Sequence, residues 1–280
     1  MFAANMSEQT LDKLRACGVK TLQIPERFSG GCVNDYRWEL YRDYLCEHVD
    51  DYSMIFTSDV RDVIFQQDVF KFYDGTTPFL AAGYEDGNLS SDTNKKWLID
   101  RYGLETWQSM KDYRIICSGT IWGTAQEFID FASVMADNIN SGQFPYSRVC
   151  DQAVANWMIY HEKMFSDIFT ASGNPDGKVI TIGLTRPADI RVDSDGTIRN
   201  TNEEIAAVVH MYDRHRKTAR AVFSKYGREI PFAKKFKVIH SNDKIVRVMN
   251  LIRRKGIFRS ASLLVRRKIA KLLGKELPLK

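Results

Sequence analysis

The sequence predicts an α/β protein with a mixed, mostly parallel central sheet flanked by helices. Three observations predict it. Apolar runs of strand length, at 54–57, 79–83 and 113–117, alternate with segments of helical periodicity over the first 165 residues. Capping residues punctuate the joins, as Ser7 does ahead of one helical segment and Gly18 behind it. Polar clusters close the apolar runs, and no internal repeat or low-complexity segment interrupts the pattern.

Taken in order, Phe2, Ala3 and Ala4 read as the end of a strand. Ser7 caps a helix that reaches about Ala16, with Thr10 where a capping box would place Glu or Gln, and 19–24 alternates as a strand. This is β-α-β geometry, entered partway through its first strand. Gly30 and Gly31 mark a loop, and 34–49 is helical with Tyr36, Leu40, Tyr44 and Leu45 on one face. The run 54–57 reads as a buried strand that ends in Ser58, Asp59, Val60, Arg61 and Asp62, after which 63–65 resumes the apolar run. A second strand, 79–83, ends in Tyr84, Glu85 and Asp86, and 94–102 is helical with Trp97 inside it. A third, 113–117, runs into Ser118, Gly119, Thr120, Ile121, Trp122, Gly123 and Thr124. Thr124 caps a long helix over 125–138, whose apolar residues fall at Phe128, Ile129, Phe131, Ala132 and Met135. Asp151 and Gln152 open a helix that reaches about Tyr160. Further on, 179–183 is strand-like, 190–193 and 196–198 form a hairpin across Ser194, Asp195 and Gly196, and 217–226 is helical.

With 280 residues, 44% of them hydrophobic, the chain can bury one large core or two modest ones. It has no apolar run of about 18 residues, so no spanning helix is expected, and its first residues lack the layout of a signal peptide. Cys17, Cys32, Cys46, Cys117 and Cys150 are odd in number and widely spaced, which predicts reduced thiols and a cytoplasmic setting. The net charge of +5 is unevenly spread: residues 243–280 hold twelve Lys/Arg against two acids, a balance of +10, which leaves −5 for residues 1–242. We therefore expect a main domain over 1–240 and a basic, amphipathic helical tail over 241–280. In that tail Ile245, Val248, Met249 and Ile252 precede Arg253, Arg254 and Lys255, and Leu263, Leu264 and Val265 precede Arg266, Arg267 and Lys268. Apolar stripes beside cationic clusters suit an anionic membrane surface, which would make the protein peripheral there. The same pattern also fits a helix packed on the body with a solvated basic face. Nucleic acid is not expected, because no aromatic interleaving or RNA-binding motif accompanies the charge.

In an open α/β sheet, ligands sit beyond the carboxyl ends of the strands. The clusters expected at such ends are Asp59 to Asp62, Glu85 with Asp86, and Ser118, Gly119 and Thr120, joined by Asp151 and Gln152 at their helix start. Two acids at a strand end are costly to bury uncompensated. Either a divalent metal compensates Asp59 and Asp62, or Arg61 does.

Together these stretches resemble the nucleotide-sugar-dependent glycosyltransferases of the GT-A fold, a Rossmann-related architecture. The segment 55–66, with Ser58, Asp59, Val60, Arg61 and Asp62 at its centre, is similar to the family's strand with an Asp-x-Asp metal motif. The segment 117–124 resembles the acceptor-side strand before a long helix, and Asp151 and Gln152 with Asn156 resemble the family's Asp-Gln helix start. Val209, His210, Met211, Tyr212, Asp213, Arg214 and His215 resemble the late histidine segment that adds a metal ligand in several branches. The resemblance covers about residues 1–226. It departs from the family where Arg61 stands in place of the second acid, and the strand that cradles the nucleotide base would lie upstream of Phe2.

The resemblance implies a Mn²⁺ or Mg²⁺ ion on Asp59, Asp62 and His210, stabilising the diphosphate that leaves a nucleotide-sugar donor. It implies positive charge near the phosphates from Arg37, Arg61 or Lys217. Asp151 and Gln152 would act on the acceptor hydroxyl or orient the donor sugar. Ser118, Gly119, Thr120, Trp122, Glu85 and Asp86 would line the substrate. The acceptor would be a glycan or lipid-linked sugar in surface polysaccharide or glycolipid synthesis. Read without the resemblance, Asp62 pairs with Arg61, Asp151 is an N-cap, Glu85 and Asp86 make a solvated turn, and Trp122 is core. Two other functions fit the same residues: a Mg²⁺-dependent phosphohydrolase or phosphotransferase using Asp59 and Asp62, and a non-catalytic, membrane-docked interaction protein.

Overall fold

The computed structural model of the protein describes residues 1–3, 6–28, 30–141 and 150–227. The tail expected over 241–280 lies outside the described residues. In chain order the elements are β1 (Phe2–Ala3), α1 (Glu8–Ala16), β2 (Leu22–Gln23), α2 (Val33–Cys46), β3 (Met54–Ser58), β4 (Val63–Phe65), β5 (Leu80–Asn88), α3 (Asp92–Met110), β6 (Arg114–Thr124), α4 (Ala125–Ser141), α5 (Asp151–Tyr160), β7 (Phe169–Ser172), β8 (Val179–Thr181), β9 (Arg191–Val192), β10 (Ile198–Arg199), β11 (Val208–His210) and α6 (Arg216–Tyr226). None of the described helices is long and apolar enough to cross a membrane. The described residues form two compact units: Met1–Asp59 with Val69–Gly173, and Val60–Asp68 with residues 174–227.

The first unit opens with the expected β-α-β turn. Ser7 accepts a hydrogen bond from the Thr10 amide at 3.3 Å, α1 stops at Ala16, Gly18 takes a left-handed φ of +76°, and β2 pairs parallel to β1. The unit's sheet runs β3-β6-β5-β7, with β6 antiparallel to both β3 and β5, and β7 parallel to β5. Mixed α/β architecture is as expected, but the parallel share is smaller than the strand–helix alternation predicts. One physical reason lies in α3, whose helical path breaks at Gly103 (φ 85°, ψ 170°). The connection from β5 to β6 is thus two helical segments rather than the single crossover helix of a parallel unit. The helix expected over 94–102 is the first of these segments, and Leu104 onward was not anticipated.

Two further expectations are corrected here. The run 54–57 is not a fully buried strand, because every residue of β3 keeps some exposure, and within its unit β3 pairs only with β6. Ser118, Gly119 and Thr120 do not close a strand. They lie in the middle of β6, an eleven-residue strand in which only Arg114 is exposed. β5 pairs with this strand on both sides of a register shift at Ser118–Thr120, and β3 pairs with Thr120–Thr124, so the polar side chains do not end it. Glu85 and Asp86 are likewise inside β5, and Glu85 is buried rather than in a solvated turn.

Helices α2 and α4 pack together over this sheet. The predicted apolar stripe of α4, Phe128, Ile129, Phe131, Ala132 and Met135, is wholly buried. It meets Trp38 of α2, whose ring lies 5.5 Å from that of Phe131 and 6.4 Å from that of Phe128. Each such fully buried large side chain contributes about 1.5–3 kcal/mol relative to exposure. From the sheet's other elements, Asn156 of α5 accepts from the Ile116 amide at 2.9 Å and donates to the Ile116 carbonyl at 2.8 Å, tying α5 to β6.

In the second unit β11 pairs parallel to β8 and antiparallel to β4, with His210 opposite both Thr181 and Val63. The expected hairpin is present as β9 and β10, with Gly196 at φ +88° in its turn. The Gln66 amide locks onto it, accepting from Ile198 N–H at 2.8 Å and donating to the carbonyls of Ile198 and Ala206. Ile180, Ile182, Ile198, Val209 and Val222 form this unit's core.

Candidate functional site

The polar residues singled out by the sequence gather at two places, one in each unit. In the first unit the organiser is Arg37, which α2 delivers buried beneath the sheet end. Asp59 directly follows β3 and donates its amide to the Gly119 carbonyl at 3.0 Å, extending the β3–β6 ladder by one step. Arg37 donates to Asp59 Oδ1 at 2.7 Å, to Asp151 Oδ2 at 2.5 Å and to the Ser118 carbonyl at 2.8 Å. Burial pulls the guanidinium towards its neutral form. The Asp151 carboxylate, followed by Tyr41 and Asp59, outweighs burial and holds the Arg37 pKa above the ordinary arginine value. Asp151 has no exposed surface, and removing one partner of such a buried pair costs about 3–5 kcal/mol.

Asp151 begins α5 as expected, and its Oδ1 accepts the Gln152 amide at 2.8 Å. The helix start is capped from elsewhere. Asp35 of α2 accepts from the amides of Cys150 at 2.9 Å and Asp151 at 3.2 Å through its Oδ1. Burial pushes the Asp35 carboxyl up to about 6, against the pull of the Cys150 amide and helped by the Asp151 charge. The Gln152 side chain turns to Asn94, donating to its Oδ1 at 2.9 Å.

In the second unit the pairing of β4 with β11 sets Asp62, one residue before β4, beside His210 at the end of β11. Met211, in the left-handed region at φ 58°, donates its amide to the Asp62 carbonyl at 2.7 Å, and the Tyr212 hydroxyl donates to the Arg61 carbonyl at 3.3 Å. One backbone and one side-chain hydrogen bond thereby fasten the two segments. Asp62 Oδ1 lies 3.9 Å from His210 Nε2, and His210 Nδ1 lies 3.4 Å from the Thr181 hydroxyl. Asp62 Oδ2 faces two guanidiniums, Arg214 at 3.1 Å and Arg61 at 3.4 Å. The same arginines reach Asp213, at 2.5 Å and 3.8 Å respectively. Asp62, His210 and Asp213 are buried, whereas half of the Arg61 side chain is in solvent.

Arg37, Asp59, Ser118 and Asp151 are thus brought together in one unit, and Arg61, Asp62 and His210 in the other. Several residues stand apart from both gatherings. Trp122 is packed as core, its ring 5.3 Å from Phe56 and 5.5 Å from Tyr73, and Thr120 has no exposed surface. Asp86 pairs with Arg114 at 3.2 Å, and Lys217 is exposed in the first turn of α6. Sequence reasoning gave no role of their own to Asp35, Asp213 and Arg214. The adjacent Asp213 and Arg214 repeat the acid–arginine juxtaposition of Arg61 and Asp62, which was the available signal. Asp35 had none, because an acid in the first turn of α2 gives no hint of a distant helix start.

No protein-family profile matches the chain, and neither does any curated protein. Among solved structures, the galactosyltransferase LgtC in complex with donor and acceptor sugar analogues aligns with it at a TM-score of 0.41 and 13% identity. The alignment covers 78% of this chain and 75% of that one. A likeness at this level does not establish a shared fold.

Proposed function

We propose that the chain is a divalent-metal-dependent glycosyltransferase that moves a sugar from a nucleotide-diphosphate donor to a glycan or lipid-linked acceptor. The observation that supports it is the buried Asp62–His210 pair with the guanidiniums of Arg61 and Arg214 beside it. A carboxylate and an imidazole 3.9 Å apart offer the oxygen and nitrogen donors that Mn²⁺ accepts, and Mg²⁺ through the carboxylate. Asp59, three residues earlier in the chain, is the third ligand that the sequence resemblance implies. The donor set therefore fits the ion that the sequence implies. Such an ion supplies Lewis-acid stabilisation to a departing diphosphate. Arg61 and Arg214 present planar N–H forks suited to the non-bridging phosphate oxygens. Arg37 fixes Asp59 and Asp151 in place, and Asp151 acts as general base only if its surroundings open, since both its oxygens are engaged.

The test is a thermal-shift panel of nucleotide sugars with and without Mn²⁺, on the native protein and on Asp59→Asn, Asp62→Asn and His210→Gln. Stabilisation that needs both Mn²⁺ and a nucleotide, and that is lost in Asp62→Asn, is the expected result. An unchanged response in Asp62→Asn rejects the metal site. Release of inorganic phosphate from simple phosphoesters, without sugar transfer, would assign the site to a phosphohydrolase instead.

A further inference from the structure

Asp62 divides its two oxygens between different neighbours. Oδ1 faces His210 Nε2 at 3.9 Å, while Oδ2 faces Arg214 at 3.1 Å and Arg61 at 3.4 Å. Arg214 also grips Asp213, so its fork bridges two buried carboxylates. Among the described residues, two arginines thus meet two acids before any metal is considered. We propose that Arg214, assisted by Arg61, is the resident counter-charge of Asp62, and that it couples metal binding to diphosphate binding. This rests on the function proposed above.

The reasoning is electrostatic. A divalent ion on Asp62 Oδ1 and His210 would share its carboxylate with the cations already seated on Oδ2, and in a poorly solvated site that repulsion is large. The arginines therefore weaken binding of the metal alone. A diphosphate reverses the effect, because its oxygens accept the guanidinium forks and the metal together. The two ligands then bind with positive coupling, each tightening the other by the same factor. Arg214 is a positioning residue in this scheme, acting on the metal through Asp62. Arg61, half in solvent and at longer range, plays the same part more weakly.

The experiment is a Mn²⁺ titration followed by electron paramagnetic resonance of the free ion, on the full chain. The native protein is compared with Arg214→Gln, Arg214→Lys and Arg61→Gln, each with and without inorganic pyrophosphate or UDP, and circular dichroism checks that each variant is folded. In Arg214→Gln, Mn²⁺ alone should bind about ten-fold tighter, the loss of one nearby positive charge. The further tightening that pyrophosphate brings should shrink. Arg214→Lys should restore native behaviour in part, and Arg61→Gln should move the same way by less. A purely structural arginine gives the opposite sign, with weaker Mn²⁺ binding in Arg214→Gln. That result, or an unchanged affinity in both glutamine variants, overturns the coupling while leaving the metal site standing. Absence of Mn²⁺ binding in every variant overturns the metal site itself, and the coupling with it.

Discussion

Asp35 shows how much one side chain can carry in this chain. It holds two amides at the start of α5, and its position keeps Asp151 where Arg37 can reach it. Its folded pKa is raised from 3.8 to about 6, chiefly by burial. The folded state therefore binds its proton more tightly than the unfolded state does. The resulting stabilisation is full below about pH 3.8, and it is lost as the pH rises through about 6. Asp35→Asn keeps an oxygen for both amides and removes the titration. Urea unfolding from pH 4 to 7 should show the native protein losing stability relative to Asp35→Asn across that window. The slope should not exceed about 1.4 kcal/mol per pH unit, the limit for one proton. Parallel curves would mean that Asp35 is not the titrating group. Neither Asp35 nor Arg37 could be assigned its partner from sequence, since Arg37 lies 114 positions from Asp151 and Asp35 lies 115 from Cys150. By contrast Arg61 beside Asp62 was legible, because neighbours along the chain stay neighbours in the fold.

Among the elements, β6 and α5 depend on one amide. Asn156 satisfies both the N–H and the carbonyl of Ile116, with a further bond from its amide to the Gln152 carbonyl at 2.7 Å. Asn156→Ala leaves those buried groups without their partner. The expected cost is about 3 kcal/mol in chemical denaturation, most of it the desolvation of unsatisfied peptide groups. Asn156→Asp should fare little better, because a carboxylate cannot donate to the two carbonyls. A loss under about 1 kcal/mol in Asn156→Ala would show that the clamp is not what joins this helix to this strand. The helices were read well at this scale. Ser7, Gly18 and the stripe from Phe128 to Met135 all rest on local signals, namely capping and a 3.6-residue period. The strands were read less well. An edge strand such as β3 and a doubly paired strand such as β6 look alike until their neighbours are known.

For the whole molecule, charge is the property that sequence alone supplies. The excess of basic residues lies in 243–280, and the +10 there outweighs the −5 of the remainder. We propose that this segment docks the protein on anionic membranes, where each Lys or Arg contributes about 1 kcal/mol near the surface. Substituting Arg253, Arg254, Lys255, Arg266, Arg267 and Lys268 by Gln should abolish flotation with phosphatidylserine-rich vesicles at low salt. The native chain should float, and should lose binding as salt is raised. Flotation that survives all six substitutions would reject the anchor.

By itself the sequence determined the α/β alternation, the opening β-α-β turn, the helix starts and the late hairpin. Each follows from a pattern spanning a few residues, so it survives without knowledge of the fold. Only the tertiary structure decided the direction of the strands, the buried course of Ser118, Gly119 and Thr120 through β6, and the partners of the charges. Arg37 pairs with Asp151 and Asp59, and Arg214 joins Arg61 on Asp62. The physical reason is the same throughout. A buried charge must find compensation wherever packing brings an opposite one within reach, and packing joins residues that lie far apart in the chain.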